Sequence, residues 1–138
     1  MTQSKDDYLN GGYFDSNGSI KCELLTTTAE QKAKELGSSG ITYTQLRSFF
    51  TQVRAIEREL ESKKFPQVVP RIQRLEYLVA NYVGRGQNEI ERQNREKLKR
   101  FIDRNAKLAE KDIPSFKQGF IPHFEAVIAY FKYNYPRK

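Results

Sequence analysis

The chain has 138 residues, and its 24 Lys and Arg residues outnumber 17 Asp and Glu residues, which gives a formal net charge of +7. This length fits one domain with one hydrophobic core. The positive excess favours an acidic partner, nucleic acid first, although it is equally compatible with a basic protein whose charges only solubilise it. Cys22 is the only cysteine, so composition excludes an intrachain disulfide and a cysteine-built zinc site.

The first part of the chain shows no long hydrophobic period. Two clusters, Asn10-Gly11-Gly12 and Ser16-Asn17-Gly18, are turn signals. We predict a flexible arm over residues 1–27 and a single helical-bundle domain over residues 28–138. Residues 1–19 are polar, and no apolar run approaches the ~20 residues that span a bilayer, so we expect a cytoplasmic protein without a membrane partner.

Hydrophobic periodicity predicts five amphipathic helices and no competing strand. Their approximate ranges are 28–36, 42–62, 66 or 69 to 84, 88–111, and 115–134, the last bent at Gly119 and Pro122. Thr42 and Gln45 predict a capping box at the start of the second helix. Pro70 is expected in or just before the first turn of the third helix. Short connections between long helices predict an all-α, compact antiparallel bundle.

Nothing in the sequence marks a catalytic or metal site. His123 is the only histidine, which is too few for a di-iron bundle built on two Glu-x-x-His motifs. Glu57 and Glu61 share a helix face, but the neighbouring Arg54 and Arg58 predict a salt-bridged surface rather than paired catalytic carboxylates. We therefore expect no catalytic residue, no metal and no cofactor.

The second predicted helix has two different faces. Its apolar stripe consists of Ile41, Leu46, Phe49, Phe50, Val53, Ile56 and Leu60. Arg47, Arg54 and Arg58 recur at i, i+7 and i+11, which places them in a narrow arc away from that stripe. Arg47 has no acid close to it in the helix, whereas Arg54 can reach Glu57 or Glu61. An arginine without an acidic partner is the better phosphate ligand, because its planar fork matches phosphate oxygens.

The fourth predicted helix is also basic, on two flanks. Arg100, Arg104, Lys107 and Lys111 lie on one flank, and Arg92, Arg95 and Lys99 lie on the other. Three acids precede a basic residue by four positions: Glu91 before Arg95, Glu96 before Arg100, and Asp103 before Lys107. Whether this helix binds phosphate or is an ordinary charged surface therefore stays open. Its inward residues are expected to include Ile90.

Three stretches occur together in an informative order: QLRSFFTQVR at 45–54, LVANYVGR at 78–85, and FIPHFEAVIAYFK at 120–132. Over residues 41–134 the chain resembles the small α-helical subunit of type III-A (Csm) CRISPR–Cas effector complexes. The resemblance implies a non-catalytic subunit for antiviral defence, stacked in several copies along a ribonucleoprotein. The implied partners are crRNA, target RNA, the repeated backbone subunit, the large polymerase-like subunit and further copies of the chain.

The candidate RNA-binding residues follow from the arginine spacing and from the resemblance. Arg47 and Arg54 match basic positions of the family, Arg85 matches its Gly-Arg helix end, and Lys132 matches the basic residue after Ala-Tyr. Arg58 joins them through its spacing on the second helix. His123 lies beside the third motif and completes the candidate set.

Two other functions are open from the sequence. Helix 28–36, the turn 37–41 and the following helix have the layout of a helix-turn-helix DNA-binding regulator. Against it, the second of those helices buries Leu46, Phe49 and Phe50 and offers few base-reading residues at its start. A purely structural helical scaffold is the other alternative.

Overall fold

The computed structural model describes residues 7–137. Five α-helices dominate it: α1 (Thr27–Gly37), α2 (Tyr43–Glu59), α3 (Phe65–Gly84), α4 (Glu89–Ala109) and α5 (Ile121–Asn134). A short 3-10 helix (Cys22–Leu25) precedes α1, and a π-helical turn (Ser115–Phe120) leads into α5. The predicted all-α bundle of five helices is confirmed.

Local sequence signals set the starts of α2 and α3. The predicted capping box of α2 is present, because Thr42 Oγ1 accepts from Gln45 N at 3.1 Å and Gln45 Oε1 accepts from Thr42 N at 3.0 Å. The position of Pro70 differs from the prediction, because α3 begins at Phe65 and places Pro70 inside the helix. The helix tolerates it because both Pro70 and Pro66, whose carbonyl loses its helical donor, are exposed to solvent.

Helix α5 is the central element of the bundle. It packs against α1 and α2, while α3 packs mainly on α4. Its own Phe124 and Phe131, together with Phe116 and Phe120 of the preceding π-helical turn, are fully buried. The Phe124 ring lies 5.1 Å from the ring of Phe50 on α2 and 5.2 Å from that of Phe101 on α4, measured between centroids. Aromatic contacts therefore tie three helices together.

The segment before α1 contributes to the core. The sequence predicts a flexible arm over residues 1–27, of which residues 1–6 lie outside the described part of the chain. In the remainder, Tyr8, Leu9, Tyr13 and Leu24 are no more than 5% exposed. A side chain on Gly119 would meet the Tyr13 ring, with a Cβ only 2.5 Å from it. Residues 7–26 thus pack on the bundle, while the domain boundary after residue 27 stays a prediction.

A buried hydrogen-bond chain holds this segment in place. His123 is fully buried, and its Nδ1 lies 2.6 Å from the Leu24 carbonyl oxygen, which can only accept. Nδ1 therefore carries the proton, and Nε2 accepts from the Tyr8 hydroxyl at 2.5 Å. Asn105 Nδ2 donates to the same hydroxyl at 3.0 Å, and Tyr13 donates to Asn105 Oδ1 at 2.7 Å. Every member of the chain is satisfied.

This placement corrects the prediction for His123. A fully buried imidazole that is hydrogen-bonded on both nitrogens has no surface to offer RNA. The predicted RNA-binding role therefore does not fit this structure, and the residue instead joins α5 to the N-terminal segment. Burial lowers the pKa of His123 from 6.5 to about 4, an effect that the Leu24 hydrogen bond opposes, so the ring is neutral at neutral pH.

We expect Asn105→Ala to lower the free energy of unfolding by roughly 1–3 kcal/mol, because it removes the amide that donates to the Tyr8 hydroxyl and accepts from the Tyr13 hydroxyl. Tyr8 keeps its bond to His123, whereas Tyr13 keeps only the 3.2 Å bond to the backbone carbonyl of residue 105. Urea unfolding followed by circular dichroism measures the change. Asn94→Ala, a half-exposed position on the same helix, is the matched control and should cost much less. Equal losses in the two variants would contradict a stabilising role for the buried chain.

Stability should also fall in acid through His123. The imidazole takes up a proton near pH 6.5 in the unfolded chain but only near pH 4 in the folded one, so the unfolded state binds more protons between these values. The contribution, roughly 3 kcal/mol, is fully present above pH 6.5 and is lost as pH falls towards 4. Unfolding measured at pH 7 and pH 5 should show a smaller decrease in His123→Gln than in the parent chain. Identical decreases would contradict the assignment.

Candidate nucleic-acid interface

The solvent side of α2 carries the three predicted arginines. Arg47, Arg54 and Arg58 are exposed, whereas Leu46 and Val53 on the opposite side are fully buried. At 100° per residue the arginines lie within about 20° of one line, and they extend over roughly 16 Å of the helix axis. The helix therefore presents a ridge of cations on a rigid support.

Two of these arginines have no carboxylate partner. Arg47 Nη1 donates to the Tyr43 hydroxyl at 3.2 Å, and its guanidinium lies 5.8 Å from the centre of that ring. The Arg58 side chain forms no hydrogen bond or ion pair with any residue in the range 7–137. Their full charge is thus available to an anion.

Arg54 differs from its neighbours on the ridge. Its Nη1 lies 3.1 Å from Glu57 Oε1, and the side chains are 46% and 28% exposed. The sequence predicted that Arg54 could reach this acid. A surface pair of this kind contributes about 1 kcal/mol or less. It partly neutralises the charge of Arg54, but the side chain can still exchange Glu57 for another anion.

Tyr43 brings a second element to the ridge. Lys132, near the end of α5, places its Nζ 4.7 Å from the centre of the Tyr43 ring and donates to the Pro136 carbonyl at 3.2 Å. The ring of Tyr43 thus contacts both Arg47 and Lys132, one from each of two sequence motifs. The sequence does not reveal Tyr43 as a link between them, because no local pattern indicates contacts between distant helices.

Arg85 reaches the same surface from the end of α3. It is exposed and borders a groove of about 380 Å³ between α2 and α3. That groove shares Thr44, Ser48 and Gln52 with an open depression of about 490 Å³ beside Arg47. We call the surface formed by these groups the basic face: Tyr43, Arg47, Arg54, Arg58, Arg85 and Lys132.

Around Arg47 and Arg85 the basic face has almost no opposing charge, whereas Glu57, Glu59 and Glu61 lie near its Arg58 end. Helix α2 contains no Asp or Glu before Glu57, and residues 77–88 around the end of α3 contain none. Hydroxyl and amide groups of Thr44, Ser48 and Gln52 separate the cations instead. Such a surface can donate hydrogen bonds to phosphate oxygens and to ribose hydroxyls without repelling them.

The basic residues of α4 are largely engaged within the chain. Arg95 contacts Glu91 at 2.8 Å, as predicted, and also donates to the Tyr82 carbonyl at 2.7 Å. The other two predicted pairs, Glu96 with Arg100 and Asp103 with Lys107, do not form among the described residues. Asp103 instead contacts Lys99 at 2.5 Å, and Lys107 contacts Glu76 at 3.5 Å.

Two more arginines of α4, Arg104 and Arg100, differ in their contacts. Arg104 donates to the carbonyls of Tyr8 and Leu9, so it holds the N-terminal segment. Arg100 has no such partner among residues 7–137. Most of the α4 cations therefore serve the fold, which makes α2 the stronger candidate for binding a polyanion.

Two kinds of feature are absent from the part of the chain that the structure describes. It contains no group of three or more His, Cys, Asp or Glu side chains placed to hold a metal ion. Within the same residues, no helix combines the length and the apolar character needed to cross a bilayer.

Comparison with known proteins gives one result. A protein-family model described as Csm2 Type III-A matches residues 19–137. No curated protein and no solved structure matches the chain. The match includes all three sequence stretches and confirms the resemblance that they carry. It also extends over residues 19–40, which lie outside the range on which that resemblance was based.

Proposed function

Since the chain belongs to the Csm2 Type III-A family of small Csm-complex subunits, we propose that it binds the crRNA–target RNA backbone through the basic face. The observation that carries this proposal is that, within residues 7–137, neither Arg47 nor Arg58 pairs with a carboxylate. The acids next to Arg58 in the chain pair with other residues, Glu57 with Arg54 and Glu59 with Lys63 and Arg71. The subunit contributes binding rather than catalysis. Its role is antiviral defence within the complex.

Backbone binding suits the chemistry of a guide–target duplex. Base pairing already reads the sequence of such a duplex, so a supporting protein needs only contacts to ribose and phosphate. Arginines on a rigid helix make these contacts without preference for particular bases. Each copy supplies four cations that have no acidic partner within residues 7–137: Arg47, Arg58, Arg85 and Lys132.

Several copies would share the binding. Each copy contributes a few phosphate contacts, and copies stacked along one strand add theirs, so affinity grows through multivalency. The repeated backbone subunit and the large polymerase-like subunit are the protein partners that we propose for a copy in the complex. We place the assembled complex in the cytoplasm.

A helix-turn-helix regulator has less support. In the structure α1 packs mainly on α5, whereas α2 packs on α5 and α3, so α1 and α2 belong to different parts of the bundle. A helix-turn-helix pair instead packs as one unit that presents its second helix to a groove. A purely structural scaffold gives no role to the guanidinium groups of Arg47 and Arg58, which have no carboxylate partner within residues 7–137.

We expect the double substitution Arg47→Ala with Arg58→Ala to weaken RNA retention by the purified complex about tenfold or more at low salt. Each lost phosphate contact also lowers the slope of log affinity against log salt by roughly 1 per copy. Filter binding with two unrelated guide–target pairs measures both quantities, and the two pairs should respond alike.

The matched control is Lys111→Ala with Lys117→Ala, which removes two exposed charges away from the basic face. Its affinity and salt slope should stay within about twofold of the parent after correction for net charge. Melting temperatures of both variants should match the parent. RNA binding that is equally strong in the Arg47 and Arg58 variant would refute the proposed contact surface.

Removing the partner of Arg54 should have the opposite effect. Glu57→Gln frees the arginine from its 3.1 Å contact and removes a negative charge from the edge of the ridge. We expect RNA affinity to rise by about two- to fivefold at low salt, and the gain to shrink as salt increases. The same measurement in an Arg54→Ala background should show little gain, and a full gain there would mean that Glu57 does not act through Arg54.

A further inference from the structure

Ile90 is an exposed aliphatic residue with no evident role in the fold. It lies in the first turn of α4 and is 73% exposed, although the sequence predicts it to face inward. Lys97 and Phe101 follow at i+7 and i+11, on the same side of the helix. Phe101 is buried, whereas Ile90 lies beyond the elements that cover this side. The partly apolar side of α4 is therefore exposed to solvent at the start of the helix.

A cleft opens on the same side of α4, further along the helix. Its volume is about 610 Å³, and it lies between α1 and α4 beside the N-terminal segment. Tyr8, Leu36 and Phe101 supply the apolar part of its lining. Five basic residues also line it, against two acids: Lys32, Lys97, Arg100, Arg104 and Lys107 against Glu35 and Asp103. The cleft thus suits a group that is apolar at its tip and negatively charged beside it.

Two of the basic residues are free to receive a carboxylate. Arg100 is exposed and has no partner within residues 7–137. Lys97 donates only to the neutral Ser38 hydroxyl, at 3.3 Å. By contrast, Lys32 contacts Glu35 at 3.2 Å, and Arg104 is held by backbone carbonyls.

The chain itself carries a group of the required chemistry. Ile90 is flanked by Glu89 and Glu91, and we call these three residues the α4 knob. The Glu89 side chain is 71% exposed and is held by an exposed Arg92 at 3.2 Å, with a weak further contact to Gln93 at 3.4 Å. Replacing one exposed ion pair of this kind by another changes the free energy little. Glu91 stays paired with Arg95.

We propose that the α4 knob of one copy docks into the α1–α4 cleft of another copy. Ile90 contacts the apolar lining, and Glu89 pairs with Arg100 of the second copy. The contact joins two different patches of the chain, so each copy can offer both a knob and a cleft. It rests on the proposed function in one respect, since stacking in the complex is what brings copies together.

The cleft favours protein over RNA as its occupant. Its lining includes Tyr8, Leu36 and Phe101, against which an aliphatic side chain can pack but a phosphate cannot, whereas the depression beside Arg47 is lined by polar side chains and Tyr43. The two surfaces also belong to different elements, because the cleft lies between α1 and α4 and the basic face is centred on α2. One copy can therefore contact RNA and a neighbouring copy at once.

A charge exchange tests the pairing directly. Light scattering of the full chain over a concentration series into the millimolar range should show species heavier than the 16.1 kDa monomer. Arg100→Glu and Glu89→Arg should each weaken self-association about tenfold, and combining them should restore it. Ile90→Ser should weaken it by a similar factor, because its apolar contact is lost.

Controls separate this contact from folding and from RNA binding. Ile113→Ser and Lys117→Glu change an exposed isoleucine and an exposed lysine outside the knob and the cleft, and both should associate like the parent. Circular dichroism reports whether each variant is folded. The double exchange keeps the net charge and restores association, so its RNA affinity should match the parent. Failure of the RNA proposal would show in the Arg47 and Arg58 variant instead.

Three results would overturn the proposal: a parent chain that remains monomeric throughout, a double exchange that fails to restore association, or unchanged association in Ile90→Ser. A fourth is specific to the occupant. If Arg100→Glu lowers RNA affinity while leaving self-association unchanged, the cleft binds RNA rather than a second copy.

Discussion

Burial of the aromatic side chains of α5 and of the turn before it is the constraint on which the rest of the structure depends. Phe116, Phe120, Phe124 and Phe131 are all fully buried, and rings of this size dominate the energetics of a small core. They can leave water only if other helices and the N-terminal segment surround them. Helix α2 is one of those helices, and covering α5 fixes which of its sides faces solvent. The orientation of the arginine ridge therefore follows from packing that involves no arginine.

The distribution of carboxylates decides which cations are available. Helix α4 is rich in basic residues, yet Arg95, Lys99 and Lys107 contact acids, and Arg104 binds backbone carbonyls. Helix α2 has three cations and two acids, and both acids, Glu57 and Glu59, lie at its C-terminal end, so Arg47 has no acid near it in the helix. Since a surface pair is weak, Arg54 remains a partial contributor despite Glu57. Among residues 7–137, the arginines engaged within the fold therefore lie mostly on α4, and those without a carboxylate partner lie mostly on α2.

The N-terminal segment links this arrangement to the core through polar groups. Tyr8, Asn105 and His123 form a satisfied hydrogen-bond chain in a region otherwise filled with aromatic rings. Such a chain specifies one position for the segment, because any shift leaves buried groups unpaired. The segment in turn forms part of the lining of the α1–α4 cleft through Tyr8. A surface that we propose for contact between copies therefore depends on residues that precede the first long helix.

The sequence by itself determined the helices, the capping box at Thr42 and the two faces of α2, because periodicity and capping are local and depend on neighbours within a turn or two. Only the tertiary structure decided which elements cover each face. In the structure His123 is buried and Ile90 is exposed. Asp103 contacts Lys99 rather than Lys107, and Lys132 contacts the ring of Tyr43. These outcomes depend on contacts between residues far apart in the chain. Helical spacing predicts which residues lie on the same side of a helix, but not which elements pack against that side.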